Sequence, residues 1–103
     1  MIAWLKGEVM RSQADSLILR VGEVGYLLTV GEATAASVLP GDPLELHVHT
    51  HVREQELALF GFRDAILVEL FEALTTVKGV GPRVASAILD ALSPDDLVIA
   101  VEG

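Results

Sequence analysis

The chain has 103 residues, a formal net charge of −8, 51% hydrophobic content and no cysteine. That length allows one compact domain or two very small ones, and the lack of cysteine excludes disulfides and thiolate-metal sites. No apolar run approaches the length of a membrane span, and Met1-Ile2-Ala3-Trp4-Leu5-Lys6 lacks the basic region and long apolar core of a leader. The expected setting is therefore cytoplasmic, with no membrane partner. The negative charge argues against a broad grip on nucleic acid, because such affinity comes mainly from cations that displace counterions from phosphates. Residues 1–62 carry four Lys or Arg against eight carboxylates, and residues 63–103 carry three against seven. Any contact with DNA must be local.

In chain order, Ile2 to Met10 reads as a first strand, with Gly7 where a coiled sheet would need a bend or bulge. Leu17, Leu19 and Val21 alternate with Ile18 and Arg20. Gly22-Glu23-Val24-Gly25 then supplies turn chemistry, and Tyr26, Leu28 and Val30 alternate with Leu27 and Thr29, predicting a β-hairpin. The alanine-rich stretch from Glu32 to Val38 predicts a short helix or turn before Pro40-Gly41-Asp42-Pro43. Leu44, Leu46, Val48, Thr50 and Val52 form the inward face of a fourth strand, and a fifth runs from about Leu57 to Phe62. Five short strands with a helical insert before the fourth suggest a small barrel of the oligonucleotide/oligosaccharide-binding (OB) type. Trp4, Tyr26, Phe60, Phe62 and Phe71 mostly fall at core positions, so the exposed aromatic platform used to stack single strands is missing. Assembly with copies of itself is at least as good a role for this barrel.

From Arg63 the apolar period changes from two to 3.6, which puts a domain boundary near Gly61-Phe62-Arg63-Asp64. The expected fold class is α+β: a five-stranded OB-like β-barrel over 1–62, then a small helical domain over 63–103. Leu67, Leu70, Phe71, Leu74 and Val77 lie at helical spacing, as do Ala85, Ile88, Leu89 and Leu92, and Lys78-Gly79-Val80-Gly81-Pro82-Arg83 joins the two runs. Gly79 and Gly81 permit backbone angles that a Cβ penalises, Val80 plugs the apolar seam, and Pro82 suits the first position of the second helix. The product is a helix N-terminus with bare amides, an anion site whose natural occupant is phosphate. Together with the flanking cations Lys78 and Arg83, these features resemble a helix-hairpin-helix DNA-binding motif. Further on, Ser93-Pro94-Asp95-Asp96 reads as another helix start.

Other candidates carry less. His47, His49 and His51 share one face of the fourth strand and could bind zinc, but no acidic or cysteine ligand stands at motif spacing; a polar outer or intersubunit face is the expectation, with no metal. Glu54 and Glu56 fall at a loop tip, where a solvated pair of carboxylates does no catalysis; facing phosphates, they would act as a separator. No phosphate-loop, dinucleotide or hydrolase signature occurs. Asp95 or Asp96 after the hairpin prompts a glycosylase reading, but a base-flipping pocket needs more helical scaffold than this.

Several motifs occur in a specific order: Met1-Ile2, Val24-Gly25-Tyr26, His51-Val52-Arg53-Glu54, Leu59-Phe60-Gly61-Phe62 and Lys78-Gly79-Val80-Gly81-Pro82-Arg83. Across essentially all 103 residues this order resembles the RuvA family of Holliday junction branch migration subunits. The resemblance implies a homotetramer built through the barrels, with an octamer as the further assembly, bound to a four-way DNA junction. It implies DNA contacts from Lys78, Gly79, Val80, Gly81 and Arg83, and a central acidic pin from Glu54. Where the family has two adjacent acids this chain has Glu54-Gln55, with Glu56 one place on. It implies no catalytic residue and no cofactor, the work being done by a recruited ATPase, RuvB. The family continues into a second hairpin, a linker and a small ATPase-contacting domain, none of which occurs here, so the chain reads as a fragment or a truncated form. The alternative from another class is an oligomerising interaction module whose helical hairpin binds protein.

Overall fold

Residues 1–92 are described by the structure, a computed structural model. The predicted helix start at Ser93 lies outside them. Alternating apolar residues produce β1 (Trp4–Gln13), β2 (Ser16–Val21), β3 (Val24–Thr29), β4 (Pro43–Arg53) and β5 (Glu56–Phe62); α1 (Glu32–Ala36) precedes β4, and α2 (Ala65–Leu74) and α3 (Pro82–Asp90) follow β5. The strands close into a barrel in the order β1-β2-β3-β5-β4. All pairings are antiparallel except β3 with β5, which meet in parallel at Thr29 and Phe60. This is the OB barrel followed by helices that the sequence predicts.

Inside the barrel, Val9, Leu17, Leu19, Leu28, Leu46 and Val48 are buried, and Ala35 and Val38 from α1 and its exit join the same cluster. β1 serves both sides of the closure, pairing with β4 from Trp4 to Glu8 and with β2 from Glu8 to Gln13. The irregularity lies between Val9 and Arg11, where the register slips, and not at Gly7 as the sequence suggests. Gly7 has a different function: a Cβ there would fall 2.0 Å from the Arg20 carbonyl oxygen, so the two backbones meet too closely for a side chain. The β2–β3 turn is tighter than its four turn-prone residues imply. Val21 pairs with Val24 around Gly22-Glu23, with Gly22 at φ +64°.

β4 follows the expected inward face from Leu44 to Thr50, but Val52 departs from it, being 60% exposed. Its cross-strand partner Leu57 is 66% exposed, because the β4–β5 hairpin runs on past the end of the barrel core. Trp4 is also no core residue: half exposed, it donates its Nε1–H to Glu45 Oε2 at 3.0 Å.

A second core lies outside the barrel. Phe60 and Phe62 point outward from β5 and meet Phe71 of α2 with ring centroids 5.1 Å apart in each pair, and Ala85 and Leu89 of α3 complete the buried set. Burial of a phenylalanine side chain is worth roughly 1.5–3 kcal/mol, so this aromatic seam holds the helices to the sheet. The histidine row lies partly under it. His49 stands 5.1 Å from Phe71 centroid to centroid, with Nδ1 2.8 Å from Glu72 Oε2, so α2 of the same chain covers this member of the row, while His47 and His51 stay partly exposed. Among the described residues no group of three or more His, Asp or Glu side chains is placed to hold a metal ion, and no helix is long and apolar enough to cross a membrane.

Candidate nucleic-acid interface

Asp64 starts α2 by accepting the Ile66 N–H at 3.0 Å, a side-chain N-cap. The apolar spacing predicts a helix reaching Val77, but α2 stops at Leu74. The Thr75 and Thr76 hydroxyls donate to the carbonyls of Glu72 and Ala73, competing with helical continuation, and Val77 is left exposed. Two tight turns follow, with the Val77 N–H on the Leu74 carbonyl at 3.0 Å and the Val80 N–H on the Val77 carbonyl at 3.1 Å.

Gly79 sits at φ +88°, a left-handed conformation that a side chain would strain. Gly81 does not: at φ −84° and ψ 172° its backbone is ordinary, and a Cβ there would meet nothing within 4 Å. Its lack of a side chain leaves open space in front of the main chain, which is a requirement of the surface and not of the fold. Val80 is partly buried against the aromatic seam, as expected of a plug, and its N–H is already engaged. It secures the turn, leaving the donor role to its neighbours.

Gly81 is the N-cap of α3 and offers no side-chain hydrogen bond, with Pro82 in the first turn. The amides of Arg83 and Val84 fall in that first turn, where no helical carbonyl precedes them. The amides of Gly79 and Gly81 likewise have no protein acceptor among the described residues. Lys78, Gly79, Gly81, Arg83 and Val84 are all exposed. The bend therefore presents donors and the positive end of a helix dipole to solvent, in a position where an anion can approach.

The two cations differ. Lys78 is free-standing among the described residues, whereas Arg83 Nη1 lies 3.0 Å from Asp15 Oδ2 in the β1–β2 turn. That contact uses one nitrogen of a side chain that stays 71% exposed, so the guanidinium retains donors for a second acceptor. No residue type or spacing near Asp15 in the sequence announces this partner, which comes from 68 residues away.

The acidic hairpin is tighter than a projecting loop. Arg53 pairs with Glu56, so Glu56 opens β5 and only Glu54 and Gln55 form the turn. Arg53 folds back, donating Nε–H to His51 Nε2 at 2.9 Å. One open groove is lined by Arg53 and Glu56 from this hairpin and by Gly81, Arg83 and Val84 from the start of α3, with Phe60 also along it. The fold thus brings Glu56 and the amide turn to the two sides of a common channel. Glu54 stays at the tip beyond it, and Arg53, which the sequence offered only as part of the His51-Val52-Arg53-Glu54 motif and not as a contact, joins the group.

Comparison with known proteins adds identity to this geometry. The family described as the RuvA N terminal domain matches residues 1–61. The subunit named "Holliday junction branch migration complex subunit RuvA" in Syntrophobacter fumaroxidans is 42% identical over 94% of this chain and 50% of its own length. Its namesake in Dichelobacter nodosus is 41% identical over 98% of the chain and 50% of its own length. The chain belongs to the RuvA family. A RuvA subunit from a Nocardioides species, 41% identical over 100% of the chain, carries the similarity through the helices as well as the barrel. The chain spans about half the length of the curated RuvA relatives it matches.

Proposed function

We propose that this chain is a non-catalytic, structure-specific DNA-binding subunit that recognises four-way junctions and works with a RuvB-type ATPase in branch migration. Residues 1–62 form the assembling barrel and residues 63–103 the helix-hairpin-helix unit. The observation that carries this reading is the solvent-facing amide turn at Gly79, Gly81, Arg83 and Val84, bracketed by Lys78 and the half-free Arg83. It suits the phosphates of a nucleic acid, because the donors come from main chain and tolerate any base sequence. The names of the RuvA relatives, which concern Holliday junctions, support the same conclusion.

In this reading one phosphate lies on the amides of Gly79 and Gly81, with Lys78 and Arg83 as point charges beside it and Val80 as the wedge that keeps the bend in shape. Glu54 and Glu56 form the repelling edge that directs strands apart at the crossover. The molecule acts as a homotetramer in the cytoplasm, four turns gripping four arms. Titration of a four-way junction and of plain duplex of equal length, at low salt, tests it. The junction should bind tighter by about tenfold or more, a difference of about 1.4 kcal/mol. Native mass measurement should find four chains per junction. Equal affinity for both DNAs by a tetrameric sample would return the hairpin to a protein-binding role, and strand cleavage or base release would make the chain an enzyme.

A further inference from the structure

The helix that carries the amide turn is fastened to the barrel at both ends. At its C-terminal end, Asp90 lies against Gly31: a Cβ on residue 31 would fall 1.9 Å from Asp90 Oδ1. Asp90 Oδ2 accepts the Ala33 N–H at 3.0 Å. α1 has no side-chain cap of its own at Gly31, so a carboxylate 57 residues away in sequence serves as one. At the other end, Arg83 reaches Asp15 in the β1–β2 turn. Between these points the buried face of α3 consists of Ala85, Ser86 and Leu89. Two of those three side chains are small, so they define which face is buried but resist sliding or pivoting only weakly, whereas hydrogen bonds and ion pairs are directional.

We infer that Asp90 is a positioning residue for junction recognition, holding α3 at the angle that sets the amide turn against the acidic hairpin. The inference rests on the function proposed above. A nine-residue helix is about 13 Å long, so once Asp90 lets go, a tilt of about 10° about the buried middle of the helix displaces its N-terminus by about 1 Å, against the single exposed ion pair of Arg83. That exceeds the latitude of a hydrogen bond to phosphate when the other contacts of the same DNA are already placed. Plain duplex, held by the turn alone, can follow the displacement. A junction, which must satisfy the turn and the hairpin together, cannot. Asp90 therefore acts on affinity for the junction and leaves affinity for plain duplex nearly unchanged.

Three variants test this: Asp90→Ala, Asp90→Asn and Gly31→Ala. Asparagine keeps an oxygen that can accept the Ala33 N–H, whereas the added methyl of Gly31→Ala displaces the carboxylate without touching it chemically. Asp90→Ala and Gly31→Ala should lower the junction-to-duplex preference by about fivefold or more with duplex affinity changed less than about twofold, and Asp90→Asn should restore it. The chain has no cysteine, so spin labels on Glu23→Cys and Ile88→Cys report the pose of α3 directly. In assemblies diluted with an excess of unlabelled chain, so that only the pair within one chain is read, the parent and Asp90→Asn should give one narrow distance, and Asp90→Ala and Gly31→Ala a broad one. A narrow distance and an unchanged preference in Asp90→Ala, even with a lower Tm, would overturn the inference. If the parent itself shows no junction preference, the proposed function fails, and the label distances alone then decide whether Asp90 holds the helix.

Discussion

At the scale of single residues, the two glycines of the bend separate fold from function. Gly79 occupies a left-handed conformation, so Gly79→Ala should cost about 1–2 kcal/mol and lower Tm by several degrees, read by thermal melting. Gly81 has an ordinary backbone and open space before it, so Gly81→Ser should keep or raise Tm, serine being a good N-cap. The same change places a hydroxymethyl group over the amides, and duplex titration should show a loss of affinity. Normal binding by Gly81→Ser would remove the amides from the proposed contact. Asp15 is the other informative residue. Its carboxylate shares Arg83 with any incoming phosphate, so Asp15→Asn should tighten duplex binding by about two- to threefold at low salt, an effect that fades as salt screens it.

Among the elements, α2 depends on one side chain. Phe71 is fully buried and touches Phe60, Phe62 and His49. Phe71→Ala should cost about 3–5 kcal/mol and raise hydrogen exchange through α2 and α3 before it does so in the barrel, whose interior forms a separate cluster. Equal loss of protection in barrel and helices would show the two clusters to be one cooperative unit. The β4–β5 hairpin is an element whose charge matters more than its packing, since Glu54 and Glu56 are exposed. Replacing both with glutamine should raise affinity for plain duplex and leave Tm nearly unchanged; unaltered affinity would mean that they do not face DNA.

For the whole molecule, net charge and binding site pull in opposite directions. A chain of charge −8 that holds DNA through amides and two or three cations releases few counterions. The logarithm of its binding constant should therefore fall with the logarithm of salt at a slope of about −2 to −3 per bound chain, measured by titration across salt concentrations. A slope near −6 would require a basic surface that the described residues do not contain. On the function proposed above, the same balance would let an acidic protein discriminate among DNA shapes: repulsion is general, attraction is local, and only a DNA that places its phosphates on the local sites gains enough to bind.

Periodicity alone made the barrel, the change to helices near Arg63 and the glycine bend legible, because alternation of two and spacing of 3.6 are properties of neighbouring residues. The order of short motifs, in turn, carried the family. Contacts between distant residues were hidden. The pairing of Arg83 with Asp15, the seating of Asp90 over Gly31, the contact of His49 with α2 and the shared groove between Glu56 and Gly81 all join segments that have no mutual spacing along the chain. Val52 and Trp4 were misplaced for a related reason, since alternation says which face a side chain takes but not where the core beneath that face ends. Local pattern determines what each segment is; closure of the barrel and docking of two helices on its outer wall decide which segments meet.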